Sequence, residues 1–369
     1  ATAGYESEIF VETADSRLEP MTRDYRELVD FSRSDNLLIH HFSLGSKASR
    51  TAFALPDRMA LVYHNITPPE YFVGVHRTLA RQCFRGRREL QAYADRCDLA
   101  LGDSDFNRQD LEALGFPRTA VLPVVPDFSH LDRAPNWLVA RDFDDDWTNI
   151  LFVGRVIANK KIENLIRYFH AYHAFVNPRS RLLIVGAQSG FERYVASLHH
   201  LAATLDASDI HFLGHVSDEE LVALYEIADL FLCASEHEGF CVPLVEAFYT
   251  QVPVLAYAAT AVPSTMDGAG VLFEDTDPMH VAALMDGILS NPDLQNRIVE
   301  GQLAAVDRLR MKDFAGTLLG FVDQMLSRPR AAPPAVTFDF WQQFDAAQEL
   351  EELRLYRPAI YKALPDQLP

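Results

Sequence analysis

Two carboxylates and two cations carry most of the chemistry legible in this sequence. Glu238 and Glu246 flank a turn in Ser235-Glu236-His237-Glu238-Gly239-Phe240-Cys241-Val242-Pro243-Leu244-Val245-Glu246-Ala247. Pro243 suits the first turn of a helix, where unbonded backbone N–H groups attract anions. Gly239 lets backbone approach a ligand closely. A phosphate seated there would have an acid near each side, placed to accept hydrogen bonds from hydroxyls. Gly154-Arg155 and Lys160 follow another apolar run, at 149–153. Arg offers a planar fork and Lys a point charge, and both suit phosphate oxygens. Alone, the two read as a surface Arg and a solvated Lys; the acidic turn at 238–246 favours a shared site. His64 closes a third apolar run, in Val62-Tyr63-His64-Asn65-Ile66-Thr67-Pro68. A lone strand-end His is ordinarily structural, and its place at a strand end is what argues for function. His40 and His41 end an earlier run. Strand alternation puts just one of them on a given face, and both rank below His64.

Such residues work together when strand ends meet at one edge of a sheet. Apolar runs predict strands near 8–12, 37–42, 60–64, 99–102 and 120–125, and again near 149–153, 182–185, 210–213, 228–234, 252–257 and 270–273. Helical stretches fall between them, at 23–31, 107–114, 163–175 and 191–205, and helices dominate from 277 to about 326. This alternation predicts α/β structure with parallel sheets and helices on both faces. Ser104 or Asp105 is an expected N-cap, and Ser217 with Glu220 forms an expected capping box. The stretch 127–146, with Pro135 and the run Asp142-Phe143-Asp144-Asp145-Asp146, reads as a linker. Its literal Asp-x-Asp reads as solvated acid rather than a metal site, because no strand frames it. The division expected is therefore 1–140, 141–327 and a segment 328–369. The tail from Phe338, with Trp341, Phe344 and Leu353, is expected as a helix packing back on the body.

Composition bounds the partners. The chain has 369 residues, nearly half of them hydrophobic at 49%, so it can bury a large core. A net charge of −19 argues against a general nucleic-acid binder. The four cysteines, Cys83, Cys97, Cys233 and Cys241, lack a tight metal spacing and read as buried free thiols of a reducing compartment. No apolar run approaches about 18 residues, and no signal peptide is visible. The stretch from Arg77 to Arg88 holds five arginines among apolar residues. It reads first as a solvated helix and second as a surface for anionic lipid.

Taken together, Gly154-Arg155 with Lys160, the Glu-x7-Glu spacing of Glu238 and Glu246, and His64 at a strand end resemble retaining glycosyltransferases. The likeness is to the two-domain B fold of the glycosyl-transferase group 1 (family 4) class. The stretches Val62–Pro68, Asn159-Lys160-Lys161 and Thr260-Ala261-Val262-Pro263 are similar to bacterial enzymes of surface-polysaccharide assembly, some of them mannosyltransferases. The resemblance implies two Rossmann-like, doubly wound domains with a cleft between them. It implies a retaining, front-face transfer of a hexose from a nucleotide-diphosphate sugar, GDP-mannose first, to a glycan or lipid-linked hydroxyl. The catalytic set would be His64, Arg155, Lys160 and Glu238. Donor contacts would come from Gly154, Gly214, His215, Val216, Gly239, Phe240, Cys241, Val242 and Glu246. Neither metal nor cofactor is expected, since the two cations would neutralise the diphosphate. The enzyme would sit in the cytoplasm, with peripheral contact at the inner membrane face through 77–88. The family's Gly-rich loop after its first strand is not found; residues 1–11 read as a helix end, a Gly stop and a second strand. A degenerate sugar-nucleotide-binding subunit, a B-fold sugar-nucleotide epimerase and a phosphorylase are the alternatives. The first is favoured by the missing loop and opposed by the intact Arg155, Lys160, Glu238 and Glu246.

Overall fold

The computed structural model describes residues 4–329, together with 335–337, 340, 341, 344, 358 and 359. The chain forms two compact units. Unit 1 comprises 1–70, 77–122 and 314–369, and unit 2 comprises 71–76 and 123–313. The division thus falls after Leu122 rather than at 140, and each unit borrows a segment from the other's stretch of sequence.

Unit 1 opens with β1 (Phe10–Val11) and β2 (Arg23–Asp24), which pair in parallel as a separate two-stranded ribbon. The strand expected at 8–12 therefore stays outside the main sheet. The helix expected over 23–31 is reduced to β2, a 3-10 turn and the single-turn α1 (Leu28–Phe31). The main sheet is parallel, with β3 (Leu37–Phe42), β4 (Arg58–Tyr63), β5 (Leu99–Gly102) and β6 (Thr119–Val121) in sequential order. Met59 to Tyr63 are all buried, as befits a parallel strand covered on both faces. The connections carry α2 (Lys47–Ala54), α3 (Arg77–Ala92) and α4 (Asp105–Ala113). Ser104 is the N-cap of α4: its hydroxyl accepts from the Asn107 N–H.

Unit 2 holds six parallel strands: β7 (Thr148–Val153), β8 (Ser180–Val185), β9 (Ile210–Gly214), β10 (Leu230–Cys233), β11 (Val254–Tyr257) and β12 (Val271–Phe273). Their spatial order is β12-β11-β10-β7-β8-β9. Winding runs outward from β7 to β9, then reverses from β10 to β12, which is the double winding expected. The helices are α5 (Ile162–Phe175), α6 (Glu192–Thr204), α7 (Asp218–Glu226), α8 (Val242–Tyr249), α9 (Val262–Met266), α10 (Pro278–Leu289) and α11 (Pro292–Arg310). The capping box at the start of α7 is complete, with Ser217 and Glu220 each bonding the other's backbone N–H. The stretch 127–146 is not a free linker. Leu131 and Ala140 are buried in the unit 2 core, and Asp145 pairs with the buried Arg181 at 2.7 Å.

After unit 2 the chain returns to unit 1 as α12 (Phe314–Leu326). Met325 joins Ala60, Val62, Leu99 and Leu101 in one apolar cluster, with Leu318 and Phe321 beside it. The Arg58 guanidinium ties this helix down, donating to the carbonyls of Met325 and Arg328 at 2.8 and 2.9 Å. The return thus begins well before residue 328. Phe340 and Trp341 pack on Phe53 with ring centroids 5.3 and 5.0 Å away. The helix expected over the rest of the tail lies outside the described residues.

Candidate active site

In unit 2 the strand order reverses between β7 and β10, and the candidate residues leave the carboxyl ends of those two neighbours. That is where open α/β sheets bind ligands. Gly154 follows β7 and leads into Arg155 and a 3-10 turn, Ala158–Lys160. The Glu238 loop follows β10 and ends at α8. Hydrogen bonds lace the two loops together. The Glu236 N–H donates to the Asn159 carbonyl, and the Asn159 amide donates to the His237 carbonyl, both at 2.9 Å.

Across this lacing Lys160 Nζ meets Glu238 Oε1 at 2.5 Å. Burial pulls the lysine toward neutrality, but the Glu238 carboxylate outweighs it and holds the ammonium above its ordinary pKa. Glu238 is itself placed from below, its N–H donating to Thr260 Oγ1 at 2.9 Å. The Thr265 hydroxyl supports the next turn, donating to the Phe240 carbonyl. The sequence marked Thr260 only as part of a familiar stretch; its link to Glu238 appears in three dimensions. Arg155 is exposed, with its guanidinium 5.7 Å from the Phe191 ring centre.

Gly186, at the end of β8, explains how closely these edges approach. A Cβ there would lie 1.9 Å from the Gly154 carbonyl oxygen, so only glycine fits. Its N–H donates to the Gly214 carbonyl at 2.7 Å, which places Gly214, His215 and Val216 on the same rim. Cys241, the N-cap of α8, adopts φ 73°, a left-handed conformation uncommon for a residue with a side chain. Val242 is exposed, and Gly239 and Phe240 are half-buried.

Glu246 lies inside α8 with both oxygens engaged. His130 Nε2 is 3.1 Å from Oε1, and the Tyr225 hydroxyl donates to Oε2 at 3.2 Å. Burial first, and then the charge of Glu246, drive the Tyr225 phenol well above its ordinary pKa. His130 lies in the stretch 127–146 that the sequence presents as a linker, and no local pattern marks it. Its signal could not be local, because it lies 116 positions from Glu246. A second unforeseen group flanks the loop: the Tyr71 hydroxyl donates to Glu236 at 3.2 Å, and Lys161 Nζ lies 3.2 Å from the same oxygen.

The cysteines are free. Cys233 and Cys241 come together with Glu238, their ligand atoms all within 4.8 Å of one another. This is a proximity the sequence spacing did not show. A hydrogen bond between the two thiols holds Cys233 below its ordinary pKa and drives Cys241 above it. Two soft sulfurs and one carboxylate could bind a thiophilic ion, but Lys160 competes for that carboxylate. Among the described residues the Asp142–Asp144 pair belongs to no metal-binding cluster.

His64 stands in unit 1, just past β4. His41 Nδ1 lies 2.7 Å from His64 Nε2, and Asp103 Oδ2 lies 3.3 Å from His64 Nδ1. The structure thus joins His41, which the sequence places below His64 as a candidate, to His64 itself. His40 points to the opposite face, 3.2 Å from the Ser49 hydroxyl and against Tyr93. In the basic stretch, Arg85 pairs with the buried Glu89 at 2.7 Å and Arg87 with Asp110 at 2.8 Å. Both arginines are thus tied into the fold. No helix among the described residues is long and apolar enough to cross a membrane.

Residues 136–302 match the family described as glycosyl transferases group 1. The O-antigen chain mannosyltransferase B of Escherichia coli is 25% identical over 301 residues, covering 75% of this chain and 77% of that protein. A serotype-specific mannosyltransferase of the same organism is 25% identical over 216 residues, covering 56% of this chain but 26% of its own length. Among solved structures, the sucrose-phosphate synthase of Thermosynechococcus elongatus superposes with a TM-score of 0.68 at 17% identity, over 88% of this chain and 90% of that one. At that identity the likeness speaks for the fold.

Proposed function

We propose that this chain, which belongs to the group 1 glycosyl transferases and resembles bacterial polysaccharide mannosyltransferases, moves a hexose from a nucleotide-diphosphate sugar to a glycan or lipid-linked hydroxyl. The donor is GDP-mannose and the anomeric configuration is retained. The observation that carries this reading is the Lys160–Glu238 pair at the strand-order reversal, beside the start of α8.

The donor diphosphate lies against the α8 N-terminus and is neutralised by Arg155 and Lys160, which stabilise the charge that grows as the glycosidic bond breaks. Lys160 then exchanges part of its contact with Glu238 for phosphate oxygens. Freed of that contact, Glu238 accepts from hydroxyls of the transferred sugar. Glu246 accepts from the ribose hydroxyls; each carboxylate oxygen has lone pairs beyond those used by His130 and Tyr225. The rim Gly214-His215-Val216 receives the base, largely through backbone groups. Attack comes from the leaving-group face, with the departing phosphate taking the acceptor proton. The two cations do the charge neutralisation that a divalent ion does elsewhere, so the reading needs no metal. The chain works in the cytoplasm, with peripheral contact to anionic lipid through the half-buried arginines of 77–88, of which Arg85 and Arg87 also pair within the fold.

A thermal-shift panel of GDP-, UDP- and dTDP-sugars tests the donor, because a ligand that binds the native state raises its stability. GDP-mannose should give the largest shift. Glu246→Ala should abolish that shift and most transfer; full transfer in this variant would sink the reading.

A further inference from the structure

Asp103 sets the direction of a hydrogen-bond chain that ends in open space. An ionised carboxylate only accepts. The ring nitrogen facing it, His64 Nδ1 at 3.3 Å, must therefore carry the proton. In the neutral imidazole the other nitrogen, Nε2, is then an acceptor. Its neighbour at 2.7 Å, His41 Nδ1, must be the donor. The ring planes are 7° from parallel, and with the facing nitrogens 2.7 Å apart the 5.0 Å between centroids is the separation of rings that meet edge to edge in line rather than face to face. His41 Nε2 is left as a lone pair, on an exposed residue. Both ring nitrogens of His64 are already used within the protein.

Strand register builds this chain. His41 pairs with Val62, and Val62 with Leu101. His64 and Asp103 each follow two residues later, so all three side chains rise from one face of the sheet. Asn107 locks the far end, donating its amide to Asp103 Oδ1, while its own oxygen accepts from Asn65 Nδ2 at 2.6 Å. Burial, and then the repulsion between the two imidazoles if both were protonated, hold His41 below its ordinary pKa, which keeps the lone pair available at neutral pH.

We propose that His41, not His64, is the sugar-recognising group of unit 1: its Nε2 accepts a hydrogen bond from a carbohydrate hydroxyl, and His64 with Asp103 fixes the tautomer that makes this possible. The proposal rests on the glycosyltransferase reading. It assigns His64 a positioning role in place of the direct contact that the family resemblance implies.

Histidine-labelled full-length protein provides a readout independent of catalysis. Long-range proton–nitrogen spectra at neutral pH should show Nδ1-protonated rings for both His41 and His64. Asp103→Asn should invert both. Asn107 keeps its hold on the oxygen, the new amide nitrogen faces His64, and each ring turns from acceptor to donor at its outer nitrogen. In transfer assays His41→Ala should lower kcat/KM by at least about tenfold, the worth of one good substrate hydrogen bond. His41→Gln, whose carbonyl can accept, should recover part of it. Nucleotide-induced thermal shift should not move in either variant. An Nε2-protonated His41 in the wild type, or full transfer by His41→Ala beside an active wild type, would overturn the proposal. A wild type inactive with every nucleotide sugar would instead overturn the proposed function.

Discussion

At Lys160 two effects oppose one another on a single ammonium. Burial disfavours its charge, and the Glu238 carboxylate at 2.5 Å more than restores it. Removing one partner therefore leaves the other charged and dry. Lys160→Ala should lower unfolding stability by about 3 kcal/mol, since breaking a buried pair strands its partner, and should remove most transfer. The double variant Lys160→Met, Glu238→Gln should regain much of the stability in urea titration but none of the activity. Recovery of both together would mean the pair is structural only. Of the residues at this scale, Lys160, Glu238 and Glu246 were legible as candidates because their types and spacing suit phosphate and hydroxyl chemistry. Thr260, Asn159 and His130 were not, because a positioning residue acts through contacts with residues remote in sequence.

Elements set how closely the strand ends approach at the candidate site. Gly154 and Gly186 end neighbouring strands, β7 and β8, at a distance that admits no side chain on Gly186. Gly186 also holds φ at 145°, where a Cβ is strained. Gly186→Ala should therefore push β8 from β7 at their carboxyl ends. We expect a lower melting temperature and loss of the nucleotide-induced thermal shift, with far-UV circular dichroism unchanged at low temperature. An unaltered nucleotide shift would show that this edge does not shape the donor pocket. Element types and most strand limits followed from apolar runs and caps, as with Ser217 and Glu220 before α7. The region 23–31 misled because its helical periodicity is local. The pairing of Arg23–Asp24 with Phe10–Val11 overrides it.

For the whole molecule, proton linkage gives a stability signature located in unit 1. His40 is held down from 6.5 to about 4, chiefly by burial and then by the charges of His41 and Arg96. The unfolded chain therefore binds this proton first as pH falls. Stability is intact above pH 6.5 and declines progressively between 6.5 and 4. Between pH 7 and pH 5 the loss from this residue should be about 2 kcal/mol. Urea unfolding of wild type and His40→Gln at both values isolates it, because other titrating groups contribute to both proteins. Equal pH dependence in the two would refute the assignment.

The sequence by itself determined the parallel α/β class, nearly every strand of the unit 2 sheet, the acid–cation set of the candidate site and the family resemblance. Each rests on periodicity, capping or residue type, which are properties of short stretches. Tertiary structure decided where the units divide, the return of α12 to unit 1, and the folding of 127–146 into the unit 2 core. It also decided which of two adjacent histidines joins His64. Alternation says that His40 and His41 point opposite ways, but only the register of β3 on β4 selects His41. A one-residue slip would have chosen His40 instead. Register depends on packing across the whole sheet, and no stretch of sequence holds that information alone.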